Sequence, residues 1–246
     1  MNFKIVLNDN KIFKESFDSI SNIVDETICN IDSDGFRINA IDRSHICFVS
    51  LDLHKELFDE FECNVPDRIC VDTHEFNKIL KRCKKNDTLE LSCDDNNLIV
   101  VMEGDVTRKF KIRLIDSLYE TPVPPKLNPP AVVLLESDML KDFITDMELF
   151  NSNLDFQVDE DFFTVESSSE FGDSKCDFYH GEEINGSYKS SFSIDKLKLI
   201  MKASRFSPIV EVGVGNDMPV IINFKLDSED GSLSFLLAPR LNTDDE

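Results

Sequence analysis

The sequence predicts an α+β chain of two similar β-rich domains, residues 1–114 and 131–246, each with two helices on one face of its sheets. Three observations carry the prediction. Short apolar runs of strand length recur along the whole chain, and only four windows show helical spacing instead. Five of the nine prolines fall within residues 122–130, close to the midpoint of 246 residues. The order of elements then begins again. Proline fixes φ and removes a backbone donor, so residues 115–130 can be neither helix nor central strand and read as an extended connector.

Residues 3–7 read as a strand, and Asn10 as the N-cap of a helix over 10–22 on which Phe13, Phe17, Ile20 and Val24 form one apolar stripe. Residues 27–31, 36–41 (after the Ser33-Asp34-Gly35 turn) and 46–53 read as a strand meander. A strand over 67–71 leads into a helix over 74–85, with Phe76, Ile79, Leu80 and Cys83 on one face and Lys78, Lys81, Arg82 and Lys85 on another. Strands over 88–93 and 98–102 follow. Residues 108–114 alternate strictly, Phe110, Ile112 and Leu114 to one side and Lys109, Lys111 and Arg113 to the other, which suits a half-buried strand.

Past the prolines, residues 131–136 are a strand, Ser137 an N-cap, and Leu140, Phe143, Ile144 and Met147 a helical stripe within 137–149. Strands return at 154–158 and 162–166, and the more polar residues 167–191 hold two short strands and a loop. Residues 194–205 are helical, with Leu197, Ile200 and Met201 inward and Lys198, Lys202 and Arg205 outward. Strands over 209–214, 219–226 and 232–237 precede a short acidic tail. Laid over the first half at an offset of 127, Ser137, Met139, Leu140, Lys141, Asp142 and Ile144 match Asn10, Ile12, Phe13, Lys14, Glu15 and Phe17 in class and order. At an offset of 121, Leu197, Ile200, Met201, Lys202 and Glu211 match Phe76, Ile79, Leu80, Lys81 and Glu90. An internal duplication follows.

Composition narrows function. The 48 acidic residues outnumber the 26 basic ones and leave a net charge of −22, which repels nucleic acid if it is spread evenly. It is not spread evenly. The four helical windows are net positive, and the second window of each half holds most of that charge. A lysine-rich helix face that recurs in both halves fits sequence-independent, salt-sensitive attraction to phosphates, with the acidic remainder confining DNA to that face. The seven cysteines contain no C-x-x-C pair and the four histidines are scattered, so no metal site or cofactor is expected and the thiols read as reduced. No H-E-x-x-H, G-x-S-x-G, P-loop or G-x-G-x-x-G motif occurs, and no catalytic residue is assigned. No apolar run approaches the roughly 18 residues of a membrane span. A soluble, intracellular protein is expected, in the cytoplasm or nucleoid of a prokaryote or the nucleus of a eukaryote.

Three motifs then carry a family resemblance. Ala40, Asp42, Ser44, His45, Val49 and Leu51 resemble the A-x-D-x-S-H-V-x-x-V-x-L segment of the proliferating cell nuclear antigen family of sliding clamps. Asn77-Lys78-Ile79-Leu80-Lys81 resembles its S-K-I-L-K helix, and Leu236-Leu237-Ala238-Pro239-Arg240 its C-terminal L-A-P-K. The resemblance runs the length of the chain in register. It implies the DNA clamp fold, in a closed homotrimeric ring that encircles double-stranded DNA and tethers replication and repair enzymes for processivity. By similarity Lys14, Lys78, Lys81, Lys84, Lys85, Lys198, Lys202 and Arg205 face the phosphates. Where the family has further basic residues on the first helix of each domain, this chain has Glu15, Ser21, Asp142 and Thr145.

The resemblance further implies that Lys109, Phe110, Lys111, Ile112 and Arg113 pair edge to edge with Lys175, Cys176, Asp177 and Phe178 of the next subunit. Arg82, Lys84 and Arg108 lie near one end of that contact, and Asp142 and Asp146 near the other. It implies too that short hydrophobic and aromatic peptides of DNA polymerase, clamp loader, flap nuclease and ligase dock against His45, Ile46, Leu118, Tyr119, Leu127, Pro219, Ala238 and Pro239. On chemistry alone His45 reads as a hydrogen-bonded core histidine. Two other functions remain open: a subunit of a checkpoint-type or heteromeric clamp, and an acidic β-rich scaffold that binds proteins without enclosing DNA.

Overall fold

A computed structural model describes residues 3–94, 96–116, 120–226 and 228–240. The chain divides into two units: Met1–Arg43, Val49–Pro124 and Leu226–Leu233 form one, and Ser44–Phe48, Pro125–Lys225 and Ser234–Glu246 the other. The division falls between Pro124 and Pro125, inside the proline-rich stretch, although both units also take in segments from elsewhere in the chain.

In the first unit the chain runs β1 (Phe3–Leu7), α1 (Lys11–Ile20), β2 (Glu26–Asp32), β3 (Gly35–Ile41), β4 (Cys47–His54), a 3-10 turn at Lys55–Leu57, and β5 (Glu60–Cys63). It continues with β6 (Asp67–Asp72), α2 (Thr73–Leu80), β7 (Thr88–Asp94), β8 (Asn97–Glu103) and β9 (Arg108–Arg113). One sheet has the order β5-β1-β7-β8-β9, and a second layer runs β4-β3-β2-β6. Both helices rest on an aromatic cluster. Phe13 and Phe17 of α1, Phe36 of β3 and Phe76 of α2 are all buried, and the Phe17 and Phe76 rings meet edge to face at 4.7 Å between centroids. Such pairs add about 0.5–1.5 kcal/mol each beyond the area they bury.

Local hydrogen bonds move the element ends away from the sequence expectations. Asn10 does precede α1 but makes no cap bond. Its amide instead donates to the carbonyls of Lys84 (2.9 Å) and Asp87 (2.7 Å), tying the helix start to the α2–β7 loop. The second helix stops at Leu80, five residues short of its apolar and basic spacing. Beyond it the amides of Arg82 and Cys83 turn back only three residues, to Ile79 and Leu80, and Lys84 N is taken by Asp87 Oδ2 at 2.9 Å. A carboxylate seven residues past the helix thus decides where it ends. Strand β5 had no signal of its own because Glu-Phe-Glu-Cys is short and polar.

In the second unit β10 (Ala131–Glu136), α3 (Ser137–Met147), β11 (Asn153–Val158), β12 (Phe162–Ser169) and β13 (Gly172–Tyr179) come first. They are followed by β14 (Tyr188–Ser193), α4 (Ile194–Ile200), β15 (Ile209–Val214), β16 (Val220–Lys225) and β17 (Gly231–Leu237). The sheets are ordered β13-β12-β11-β14 and β10-β15-β16-β17, element for element the pattern of β4-β3-β2-β6 and β1-β7-β8-β9. The repeat is close in sequence position: β2 and β11 start at 26 and 153, α2 and α4 at 73 and 194, β7 and β15 at 88 and 209. Ser137 is the first helical residue rather than the cap, and its hydroxyl donates to Ser207 O at 2.8 Å. After Ile200 the helix tightens into a 3-10 turn, Met201–Arg205.

Candidate nucleic-acid interface and peptide site

The outward faces of the helix pairs hold the cations that the sequence singles out. In the first unit α1 and α2 are joined by Asn77, whose Nδ2 donates to Asp18 Oδ1 (3.1 Å) and Ser21 Oγ (2.9 Å). Lys78, Lys81, Lys84 and Lys85 are exposed, while Lys14 is half-buried and donates from Nζ to the Cys83 carbonyl. The lysines are not bare. Lys81 meets Asp18 at 2.6 Å, Lys78 meets Glu75 at 2.5 Å, and Lys84 lies 3.9 Å from Asp105. The Glu75 bond holds the Lys78 ammonium above its ordinary range. In the second unit Lys198 is gripped by both oxygens of Glu148 at 2.6 Å, and Lys202 and Arg205 are exposed on the 3-10 turn.

Thus Lys14, Lys78 and Lys81 come together on one helix pair, and Lys198, Lys202 and Arg205 on the other. Lys84 and Lys85 sit past the end of α2 instead, beside Asn86, Asp87, Gly104 and Asp105, where the surface dips into a cavity of about 440 Å³. The carboxylates that pair with these lysines were missed by sequence reasoning. Nothing local marks Asp18 or Glu148, because each meets its lysine across a helix pair.

Strands β9 and β13 are among those at sheet edges: among the described residues β9 pairs with β8 alone, and β13 with β12 alone. On β9, Lys109, Lys111 and Arg113 are exposed and Phe110 and Ile112 half-buried. On β13, Lys175 and Asp177 are exposed and Cys176 and Phe178 half-buried. Burial pushes the Cys176 thiol up, and the negative charges of Asp146 and Asp177 push it further. Asp142 and Asp146 are both exposed, as is Arg82. Arg108 differs from the rest. Its guanidinium forms an ion pair with the Asp87 carboxylate and donates to Arg82 O at 2.7 Å, so its charge is committed within its own unit. Burial of Asp87 to 4 % exposure makes that internal partner the favourable one.

Six of the eight expected peptide-site residues belong to the second unit. Ala238 N donates to Ile46 O at 2.8 Å, holding the end of β17 against the segment that carries His45. Ile46 is 37 % exposed, and Leu127, Pro219, Ala238 and Pro239 are half-buried. His45 is exposed and has a φ of 57°, a left-handed conformation uncommon without glycine, so it is not a core histidine. Pro129 closes on Gly213 of β15, where a Cβ would lie 2.5 Å from the proline ring, so a side chain there would displace the connector. Leu118 and Tyr119 lie outside the described residues.

Over 243 residues the chain is 49% identical to the DNA polymerase sliding clamp of Methanobrevibacter smithii, covering 99% of this chain and 100% of that protein. The chain belongs to the sliding clamp family. Its residues 2–118 match the family model described as proliferating cell nuclear antigen, N-terminal domain. The sliding clamp of Methanothermobacter thermautotrophicus is 46% identical, over 99% of this chain and all of that protein. The fold matches the crystal structure of proliferating cell nuclear antigen from Thermococcus kodakaraensis with a TM-score of 0.90 at 23% identity, over 97% of this chain and 100% of that one. On this clamp several lysines of the helix faces are countered by carboxylates on the same unit.

Proposed function

We propose that the chain is a non-catalytic sliding clamp: three copies close head to tail into a ring around duplex DNA and hold a polymerase and other replication and repair enzymes on it. The observation that carries this reading is the recurrence of a lysine-bearing helix pair on both duplicated units, which fits sequence-independent contact with phosphates along a continuous lining. Residues 115–130 act as the connector between domains 1–114 and 131–246. Ring closure is supported by the edges. The outer face of β9 carries Lys109, Lys111 and Arg113, that of β13 carries Asp173, Lys175 and Asp177, and Asp142 and Asp146 extend the acidic side. The two edges are not equivalent strands of the duplication, so joining them is head to tail, and a head-to-tail contact that closes makes a ring.

Partner enzymes reach the clamp through peptides with hydrophobic or aromatic anchors. These dock at His45, Ile46, Leu127, Pro219, Ala238 and Pro239, with Leu118 and Tyr119 contributed by the connector. A processivity assay on primed circular DNA with a clamp loader tests the reading. Longer products with this chain alone are expected. No stimulation, together with a monomeric mass in solution, would overturn it.

A further inference from the structure

The duplication leaves one strand without its counterpart. In the first unit β1 has β7 on one side and β5 on the other, with Lys4 opposite Glu62 and Val6 opposite Glu60. Lys4 Nζ holds Glu60 at 2.7 Å and lies 3.7 Å from Glu90 of β7. In the second unit β10 takes the place of β1. Val132 and Leu134 face Gly213 and Glu211 of β15 just as Lys4 and Val6 face Ser92 and Glu90 of β7. Yet the segment between β13 and β14, residues 180–187, contains no strand, whereas residues 55–66 supply β5. Among the described residues β10 pairs with β15 alone.

The difference shows in exposure. Val6, covered in the first unit, is 8 % exposed, while its equivalent Leu134 is 50 % exposed, and Val132 and Ile209 beside it are 38 % and 42 % exposed. An open edge with an apolar face is what proteins ordinarily cover or charge. We propose that the free edge of β10 is a second peptide-docking site, which takes an extended segment of a partner protein as an added antiparallel strand. The first unit indicates what that segment must be. It runs antiparallel, as β5 does to β1. It carries apolar side chains two residues apart, because Val132 stands where Lys4 selects the glutamates of β5. Its leading end meets the C-terminal end of β10, where the exposed Glu136 and Asp138 favour Lys or Arg. Backbone pairing supplies affinity and the alternate side chains supply selectivity.

The site shares no residue with the proposed His45 docking site, and its test can be read even if the clamp assignment fails. The probe is a fluorescein-labelled synthetic peptide, Lys-Arg-Val-Thr-Ile-Thr-amide, titrated against the full chain by anisotropy, with hydrogen exchange followed by mass spectrometry. Saturable binding is expected, with slowed exchange over residues 131–136. Leu134→Lys and, independently, Val132→Lys should weaken it at least tenfold. Both positions are partly exposed, so these variants should keep the wild-type melting temperature, and Ile46→Ser/Leu127→Ser should bind the probe normally. No saturable binding, protection elsewhere than 131–136, or binding indifferent to both lysine variants would overturn the proposal, as would self-association through β10 that the peptide cannot displace.

Discussion

Neutralising Asp18 and Glu148 should tighten DNA binding, although both residues are acidic groups that the fold itself uses. Each now occupies a lysine assigned to phosphate contact, Asp18 holding Lys81 and Glu148 holding Lys198, both at 2.6 Å. All four side chains are partly exposed, so these are surface pairs, worth about 0.2–1 kcal/mol apiece. At about 1.4 kcal/mol per tenfold, each lysine released by Asp18→Asn or Glu148→Gln strengthens attraction to phosphates about 1.4- to 5-fold, and the double variant about 2- to 25-fold per chain. Counterion release adds a second signature: the slope of log K against log salt should steepen by about 0.9 for each lysine that gains a phosphate. The fold should tolerate the change, because the asparagine oxygen at position 18 can still accept from Asn77 Nδ2. Fluorescence anisotropy on a linear duplex between about 50 and 200 mM salt measures both quantities. If the double variant left affinity and slope unchanged, and Lys81→Glu/Lys198→Glu were equally silent, these helix faces would not be the DNA surface.

The remaining predictions concern assembly, docking and folding. Lys109→Glu/Lys111→Glu should lower the mass in light scattering from trimer to monomer at low concentration, and Asp142→Lys/Asp146→Lys should weaken the ring in the same way. A trimer that persisted in both at moderate salt would remove the charged edges from the interface. Ile46→Ser/Leu127→Ser should reduce binding of a polymerase-derived hydrophobic peptide at least tenfold by calorimetry while the mass stays that of the ring. Phe17→Ala opens a cavity among Phe13, Phe36 and Phe76 and should cost about 3–5 kcal/mol in urea unfolding. The amides of Phe162 and Asp161 hold the Asp159 carboxyl below its usual range. The β11–β12 turn therefore contributes fully above about pH 3.9 and loses that contribution as pH falls through the lowered folded value, and Asp159→Asn should flatten this acid limb in a pH series of unfolding midpoints.

Much of the fold was legible because it is written in local periodicity. The alternation over 108–114 points to a half-buried strand, observed as Arg108–Arg113, and the offsets of the duplication recur in the starts of β2 and β11 and of α2 and α4. Short polar segments defeated the same reasoning. Strand β5 pairs with β1, and its Glu60 meets Lys4, so the partners that define it lie more than fifty positions away. The site was legible only in its cations. Lys81 and Lys198 stand out by their spacing and Lys14 only by the family resemblance, and their partners on neighbouring helices and loops do not stand out at all.

The amino-acid sequence by itself determined the repeated order of elements, the clustering of prolines near the midpoint, the four helix windows and the concentration of lysine on them, because each depends on residues close together in the chain. Tertiary structure alone decided that Asp87 ends α2 and claims Arg108, that Asp18 and Glu148 counter the lysines, that His45 is exposed, and that β10 lacks the strand that covers β1. These outcomes depend on which distant groups are brought within hydrogen-bonding reach. The energy of such contacts lies in geometry that no window of sequence contains.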